Sequence, residues 1–338
     1  MFEILELSKE SSNSIWDKSY KYFKENKTEF DNYSDFNEYK EGILRFIQNS
    51  KDNFAYLIIE KDVIIGTFIT YIENYNEKKL AINTGIKKNK INDNMQKSII
   101  KKACSNYQDV ASVLFYTNKE NQNYFLSNST FKKIKEVDIC LLKKDDLDLI
   151  NMVKVGKKIE NKNPNLTLVP FDIIPENKLR DYVSLYLDIT NDIPNNEPIK
   201  LYDSDTAEGF VNRESNFKKD GNKLLRFAIF NEFNDIVAFS LFRIYKENQK
   251  YPYQGMTGVK KEYRGKGLTI WLKSIMFQKL FKEYQYTNGI TCSMLSNNKY
   301  IQNINKSLGF HRISTQTTYL LNKKSIDNIR TNDVEITK

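Results

Sequence analysis

The feature that most constrains this chain is a repeat it carries within itself. Thr84-Gly85-Ile86-Lys87-Lys88 returns as Thr257-Gly258-Val259-Lys260-Lys261. Each copy is followed by a Lys-Ser-Ile step, Lys97-Ser98-Ile99 in the first and Lys273-Ser274-Ile275 in the second. Ser129-Thr130-Phe131-Lys132 echoes Leu308-Gly309-Phe310-His311 in the same way, with the glycine gone. At 338 residues the chain is long enough for two ordinary domains with separate cores. Two copies of one supersecondary plan are therefore the predicted organisation.

The order of apolar runs agrees between the halves. The first reads as a strand at 2–7, helices at 15–24 and 36–48, and a hairpin of β-rich runs at 53–60 and 63–72 turning at Lys61-Asp62. A strand at 80–86, a helix at 94–106 and strands at 111–116 and 134–142 complete it. Residues 143–165 are charged and polar, with Gly156 and Pro164, and read as a linker holding one helix over 146–157. The second half repeats the plan: a strand at 166–169, helices at 176–187 and 204–215, and a hairpin at 224–230 and 236–245 around Asn234-Asp235. A strand into Val259, a helix to 284, a strand at 289–295, a short helix at 299–308, a last strand at 312–321 and a frayed tail from 328 follow. The predicted class is α+β (α/β), with domains at 1–142 and 166–338, each a twisted mixed β-sheet flanked by helices.

The two copies part company between the repeated segments. In the second, Arg264-Gly265-Lys266-Gly267 lies where a strand hands over to a helix whose apolar positions are Leu268, Trp271, Leu272, Ile275, Met276 and Leu280. Two glycines there leave backbone N–H groups able to face an anion, and the helix dipole favours negative charge. Arg264 and Lys266 add cationic side chains, so the loop reads as a pyrophosphate cradle; on these residues alone a basic surface turn reads equally well. It is neither a Gly-Lys-Ser/Thr phosphate loop nor a three-glycine dinucleotide loop. The first copy has Asn89-Lys90-Ile91-Asn92-Asp93-Asn94, without glycine and with an aspartate where an anion would sit. Its strand and helix are predicted all the same. The architecture therefore does not require Arg264, Gly265 and Gly267, which points to a ligand.

Charge and rare residues narrow the classes further. A net charge of +9 suits an anionic partner, but lysine is scattered through the chain, and no clustered aromatic-and-basic motif marks a nucleic-acid surface. Cys104, Cys140 and Cys292 stand far apart with no Cys-x-x-Cys pair, against a disulfide framework or zinc site and consistent with a reducing cytoplasm. His311 is the only histidine, which removes His-based triads and multi-His metal sites; no metal is expected. No apolar run is long enough to span a membrane and no export leader is apparent, so neither membrane insertion nor secretion is expected.

Arg264-Gly265-Lys266-Gly267-Leu268-Thr269 resembles the acetyl-CoA loop of the GNAT superfamily of N-acetyltransferases, Gln/Arg-x-x-Gly-x-Gly/Ala, with Thr269 replacing the last small residue. Asn298 to Phe310 resembles the Asn-x-x-Met-x-x-x-Asn-x-x-Leu-Gly-Phe segment of the same domains, with Ile301 at the Met position. Asn298 can cap that helix, Ile301, Ile304 and Leu308 can form its apolar face, and Gly309 suits a left-handed cap. The two motifs span 255–311, the likeness extends over most of 166–322, and the paired arrangement looks like tandem GNAT proteins with a degenerate first copy that shapes the acceptor pocket.

The resemblance implies acyl transfer from acetyl-CoA to an amine by direct attack. It assigns Thr257, Gly258 and Val259 to the strand that polarises the thioester carbonyl, and Arg264, Gly265, Lys266, Gly267, Leu268 and Thr269 to the pyrophosphate. Asn298 and Asn305 lie by the pantetheine arm, and Cys292 is a small core residue rather than a nucleophile. Many members have tyrosine where Asn305 stands, and asparagine cannot transfer a proton. Because an amine acceptor must lose a proton, Asp192 and Glu197, in a loop resembling the acidic Asp-x-Pro loop of tandem GNATs, are the candidate bases. Asp192 can equally be a turn residue before Pro194. Tyr251 and Tyr253 either line a pocket or pack, and His311 reads as a surface residue. The expected acceptor is a small-molecule primary amine, with a protein amine as an alternative; nucleic acid and membrane are not expected partners. Rival readings are a silent acyl-CoA-binding module, a basic nucleic-acid-binding protein and aminoacyl transfer from a charged tRNA.

Overall fold

The computed structural model describes residues 2–26, 35–74, 78–87, 90–118, 130–171, 173–193, 206–246 and 248–331. They form two compact units, one of Met1–Glu136 with Ser314–Lys338, the other of Val137–Ile313.

In the first unit, β1 (Phe2–Leu7), β2 (Phe54–Glu60), β3 (Val63–Asn74) and β4 (Lys79–Ile86) run antiparallel to one another in order. Next comes β5 (Ser112–Asn118), parallel to β4, and then β12 (His311–Asn322), antiparallel to β5. Period-two alternation divides β2 between two cores. Ala55, Leu57 and Ile59 face α1 (Asn13–Asn26) and α2 (Phe36–Gln48), where Trp16 and Tyr39 are buried. Tyr56 and Ile58 join the cluster on the other side, with Ile99 and Ile100 of α3 (Asp93–Ser105) and Ile326 of a terminal helix. The turn between β2 and β3 has Lys61 at φ 49° and Asp62 at φ 65°, the left-handed pair a two-residue hairpin demands.

In the second unit the strand order is β6 (Lys132–Lys143), β11 (Gly289–Leu295), β10 (Asn248–Val259), β9 (Ile236–Tyr245), β8 (Lys223–Phe230) and β7 (Thr167–Pro170). Only the β10–β11 pairing is parallel. One face carries α5 (Glu176–Asn191) and α6 (Ala207–Lys219), with Tyr182, Ile189 and Phe210 packed on Leu224, Ala228 and Phe239. The other carries α4 (Leu149–Lys162), α7 (Leu268–Glu283) and α8 (Lys299–Ser307), with Trp271, Leu272 and Phe277 packed on Leu225, Phe227 and Phe242.

Three expectations change. The strand expected to close the first domain at 134–142 pairs instead with β11, from Val137 against Leu295 to Lys143 against Gly289. The last strand, expected in the second domain, pairs with β5, Gln316 to Asn322 against Asn118 to Ser112. Each unit thus takes one antiparallel strand from the other half of the chain, and the compact units differ from the expected spans 1–142 and 166–338. Pairing of this kind is set by non-local register, which a run of alternating residues does not encode.

The stretch 143–165 holds one α-helix, as expected, at Leu149–Lys162 rather than 146–157. Its helix α4 lies against α7, with Met152 buried and Leu149 and Ile159 in the same core. A Cβ added at Gly156 would fall 2.0 Å from Ser274 Oγ, so the glycine permits the approach of the two helices. The tail is also ordered further than expected. Helix α9 (Lys323–Thr331) buries Ile326, and Arg330 Nη2 donates to the carbonyls of Cys104 at 2.8 Å and Tyr107 at 3.4 Å. Among the described residues no helix is long and apolar enough to cross a membrane.

Candidate functional site

The site is built on β10. Its pairing with β11 covers only Tyr253 against Thr291 and Gln254 against Cys292, although β11 continues to Leu295. On the β9 side the register shifts by one residue between Gln254 and Thr257, a bulge, and then resumes through Val259 against Ala238. Gly255 to Val259 are therefore held on one edge and open on the other. Lys260 N–H donates to Val237 O at 2.8 Å, so alternation along the strand turns the N–H and C=O of Val259 to the open edge. The carbonyl is met there by Arg264 Nε at 3.1 Å, while the amide has no partner on that edge among the described residues.

The loop follows directly. After a short 3₁₀ turn at Lys261–Tyr263, Gly265 at φ 79° and Gly267 at φ 81° take the left-handed conformation that only glycine adopts freely, and α7 begins. The first α7 amides to find acceptors are those of Ile270 and Trp271, both on Gly267 O. Those of residues 265–269 donate to nothing among the described residues. A Cβ on Gly265 would have no heavy atom within 4 Å, so the space before the helix N-terminus is open. Gly267 instead sits against Ile159 of α4, 3.2 Å from where its Cβ would be. Lys266 Nζ lies over the Tyr263 ring, 4.8 Å from its centroid.

Of the expected bases, Asp192 ends α5 and its Oδ2 accepts from Arg264 Nη2 at 2.5 Å, so two residues assigned separate roles hold one another. Both are about half exposed, and such pairs are worth about 1 kcal/mol or less. Glu197 lies outside the described residues. Gly258 lies under α5: a Cβ there would be 2.0 Å from Ile189 Cδ1. Tyr253 is half-buried, its hydroxyl 2.5 Å from Ser293 Oγ across the strands, and His311 is exposed.

At the carboxy-terminal motif, Asn298 caps α8, its side chain accepting from Ile301 N–H at 3.3 Å, and Gly309 at φ 92° closes it as expected. Ile301, Ile304 and Leu308 are half-buried rather than fully buried. Asn305 is buried and belongs to a polar chain that runs beneath the point where β10 and β11 separate.

That chain has Lys273 at its centre. The lysine is 2% exposed, and its Nζ donates to Asn305 Oδ1 at 2.7 Å and Gln254 Oε1 at 3.0 Å. Burial pushes its pKa down to about 8. Gln254 Nε2 continues to Ser240 Oγ at 3.2 Å and Thr257 Oγ1 at 3.3 Å, two hydroxyls 2.7 Å apart. On the other side Asn305 Nδ2 donates to Cys292 Sγ at 3.5 Å and Met294 Sδ at 3.9 Å. Cys292 faces Cys140 across β6; their thiol–thiol hydrogen bond lowers Cys140, and with burial it raises Cys292.

Solved structures share this fold. A tandem GNAT protein from the clavulanic acid biosynthesis pathway superposes with a TM-score of 0.67 over 95% of this chain and 98% of its own, at 11% identity. The fold is that of a tandem GNAT protein. A GCN5-related N-acetyltransferase from Sphaerobacter thermophilus superposes with a TM-score of 0.63, at 10% identity over 94% of this chain and 95% of its own. A GNAT-family acetyltransferase from Colwellia psychrerythraea reaches 0.52 at 13% identity, over 94% of this chain and 99% of its own. No protein-family model matches the sequence, and no curated protein matches it.

Gln254 was not singled out from the sequence, Lys273 entered there only as part of the repeat, and Cys140 and Cys292 only as separated thiols, Cys292 as a core residue. Lys273 had a signal there: it is a single charge among Trp271, Leu272, Ile275, Met276 and Phe277, in a helix otherwise apolar on nearly every side.

Proposed function

We propose that the second unit is an acyl-CoA-dependent N-acyltransferase that moves an acetyl group from acetyl-CoA to a primary amine of a small molecule. One observation carries the reading: an open two-glycine turn with free amides at the start of α7 stands beside a strand edge that β11 has left. The residues suit such a ligand. The amides of 265–269 and the α7 dipole would take the diphosphate, helped by Lys266 and, once released from Asp192, Arg264. The open edge from Gly255 to Val259 would take the pantetheine arm by strand-like hydrogen bonds. Structural neighbours named as a GCN5-related N-acetyltransferase and a GNAT-family acetyltransferase support the reaction class.

When bound, an acyl-CoA supplies a thioester whose C–S bond breaks as the amine forms its C–N bond. Val259 N–H, at the open edge, would face the acyl oxygen and favour the charge that grows on it. In this reading the acceptor's proton passes to solvent.

Calorimetry with acetyl-CoA and CoA tests the cradle: absence of binding to the purified protein would sink the proposal. A thiol-reagent screen over an amine panel tests the transfer. A silent acyl-CoA-binding module is the second reading, favoured by Asn305 in place of a proton-transferring phenol. It predicts binding without release of free CoA thiol from any amine.

A further inference from the structure

Lys273 is unusual in having no carboxylate partner among the described residues while being fully buried. A buried ammonium opposes folding unless something compensates it. The groups facing it are neutral: Gln254 on β10, Asn305 on α8, the Phe310 ring with its centroid at 5.5 Å, and the thiol of Cys292 on β11, itself hydrogen-bonded to Cys140 on β6.

Its first consequence is orientation. An ammonium only donates, so each amide beside it must present its oxygen. Asn305 is thereby fixed with Nδ2 toward β11, where it meets only two sulfurs, both weak acceptors. Its second consequence is place. Gln254 and Cys292 form the last pair before β10 and β11 part, and both belong to this network. An amide donor lacking a strong acceptor, with a cation directly behind it, thus lies at the apex of the opening.

We propose that Lys273 is a positioning residue for the leaving group: it locks Asn305 so that the amide donates to the thiolate of departing CoA, the work a phenol would do there. The inference rests on the acyl-CoA reading of this same site. As the C–N bond forms and the C–S bond breaks, the electron pair goes to sulfur. Asn305 Nδ2–H meets that charge directly, and the Lys273 ammonium meets it through the amide. The attacking nitrogen gives its proton to solvent, and the sulfur takes one from solvent as CoA leaves. The downward shift of Lys273 to about 8 keeps it charged at neutral pH and lets it discharge above.

The test compares CoA with desulfo-CoA, which lacks only the thiol, by calorimetry from acid pH to about pH 8. In the unaltered protein CoA is expected to gain on desulfo-CoA by about threefold by pH 8, the equivalent of a one-unit fall in the pKa of the bound thiol from its ordinary value of about 8.5. In Lys273→Met the ratio of CoA to desulfo-CoA affinity is expected to stay flat with pH, and in Asn305→Leu likewise, whatever the change in affinity common to both ligands. Equal gain in both variants overturns the assignment to this pair. If neither variant folds, the unaltered protein decides: equal affinities at every pH overturn the inference while leaving the cradle intact. Failure of both ligands to bind overturns the acyl-CoA reading and the inference with it.

Discussion

The two units contain the same parallel strand pair joined through the same helix, and the two pairings differ at one hydroxyl and at a bulge. In the first, β4 and β5 stay paired over five residues, Lys79 to Asn83 against Ser112 to Tyr116, and Thr84 Oγ1 then donates to Tyr116 O at 3.0 Å. In the second, the corresponding strands pair over two residues, and Thr257 turns its hydroxyl to Ser240 and Gln254 on the bulged side. One threonine ties its strand to the parallel neighbour; the other ties it away from that neighbour. The helices diverge likewise: Lys97 of α3 is half-buried, whereas its counterpart Lys273 is buried beneath the opening. The shared fold thus tolerates a closed strand pair and a half-buried lysine, so it requires neither the opening nor the buried charge.

The largest expected effect is at the loop the first unit lacks. Gly265→Asp places a carboxylate where a Cβ meets nothing, and aspartate is among the residues that accept left-handed backbone. CoA affinity measured by calorimetry should fall by about a hundredfold or more, equivalent to about 3 kcal/mol, while the thermal midpoint moves little. Retained affinity would remove the distinction drawn between the two loops.

The buried lysine gives the next test, in pH dependence. Lys273 has its folded pKa near 8 against a reference of 10.5. Between those values the native state holds fewer protons than the unfolded one, so stability from this group rises with pH across that window. Below about pH 8 the penalty is present in full, on the order of 3 kcal/mol. Lys273→Met should flatten the rise seen in denaturant titrations from pH 8 to 10.5.

Much of this was legible in the residues and some of it was not, for separable reasons. Lys61-Asp62 and Asn234-Asp235 marked hairpins because the turn geometry is local, and Asn298 and Gly309 marked the ends of α8 for the same reason. Gly265 and Gly267 were readable because positive φ selects glycine. The exchange of β6 and β12 was not readable, since either strand satisfies the same alternating pattern in either sheet. Nor was the pairing of Arg264 with Asp192, which stand 72 positions apart in sequence and meet through tertiary packing. Lys273 occupies an intermediate place: the sequence showed a charge on an apolar helix, and only the fold supplied Asn305 and Gln254 as its partners.

The glycines of the repeat offer a smaller contrast. Gly258 lies under Ile189, whose Cδ1, Cγ2 and Cγ1 would be 2.0, 2.7 and 2.8 Å from an added Cβ. Gly258→Ala should therefore destabilise the protein by about 1–3 kcal/mol through overpacking. Gly85→Ala meets only Thr67 Oγ1, at 3.2 Å on an exposed position, and should stay within about 0.5 kcal/mol of the parent in the same denaturant titration. Equal effects would mean that α5 does not press on β10 as closely as the structure has it.

The smallest expected effect tests what holds the first unit shut. Thr84→Val keeps the shape of a buried side chain and removes its hydrogen bond to Tyr116 O, which typically costs about 1 kcal/mol. The backbone pairing of Lys79 to Asn83 with β5 remains, so hydrogen exchange should quicken at the far ends of β4 and β5 and stay slow at their starts. CoA binding should be unchanged, because the turn leading into α3 lacks the glycines that free the amides of 265–269 in the other unit. Exchange that quickens along the whole of β5 would show that the threonine, rather than the longer strand pairing, keeps this pair closed, and the difference between the units would then reduce to the direction of one hydroxyl.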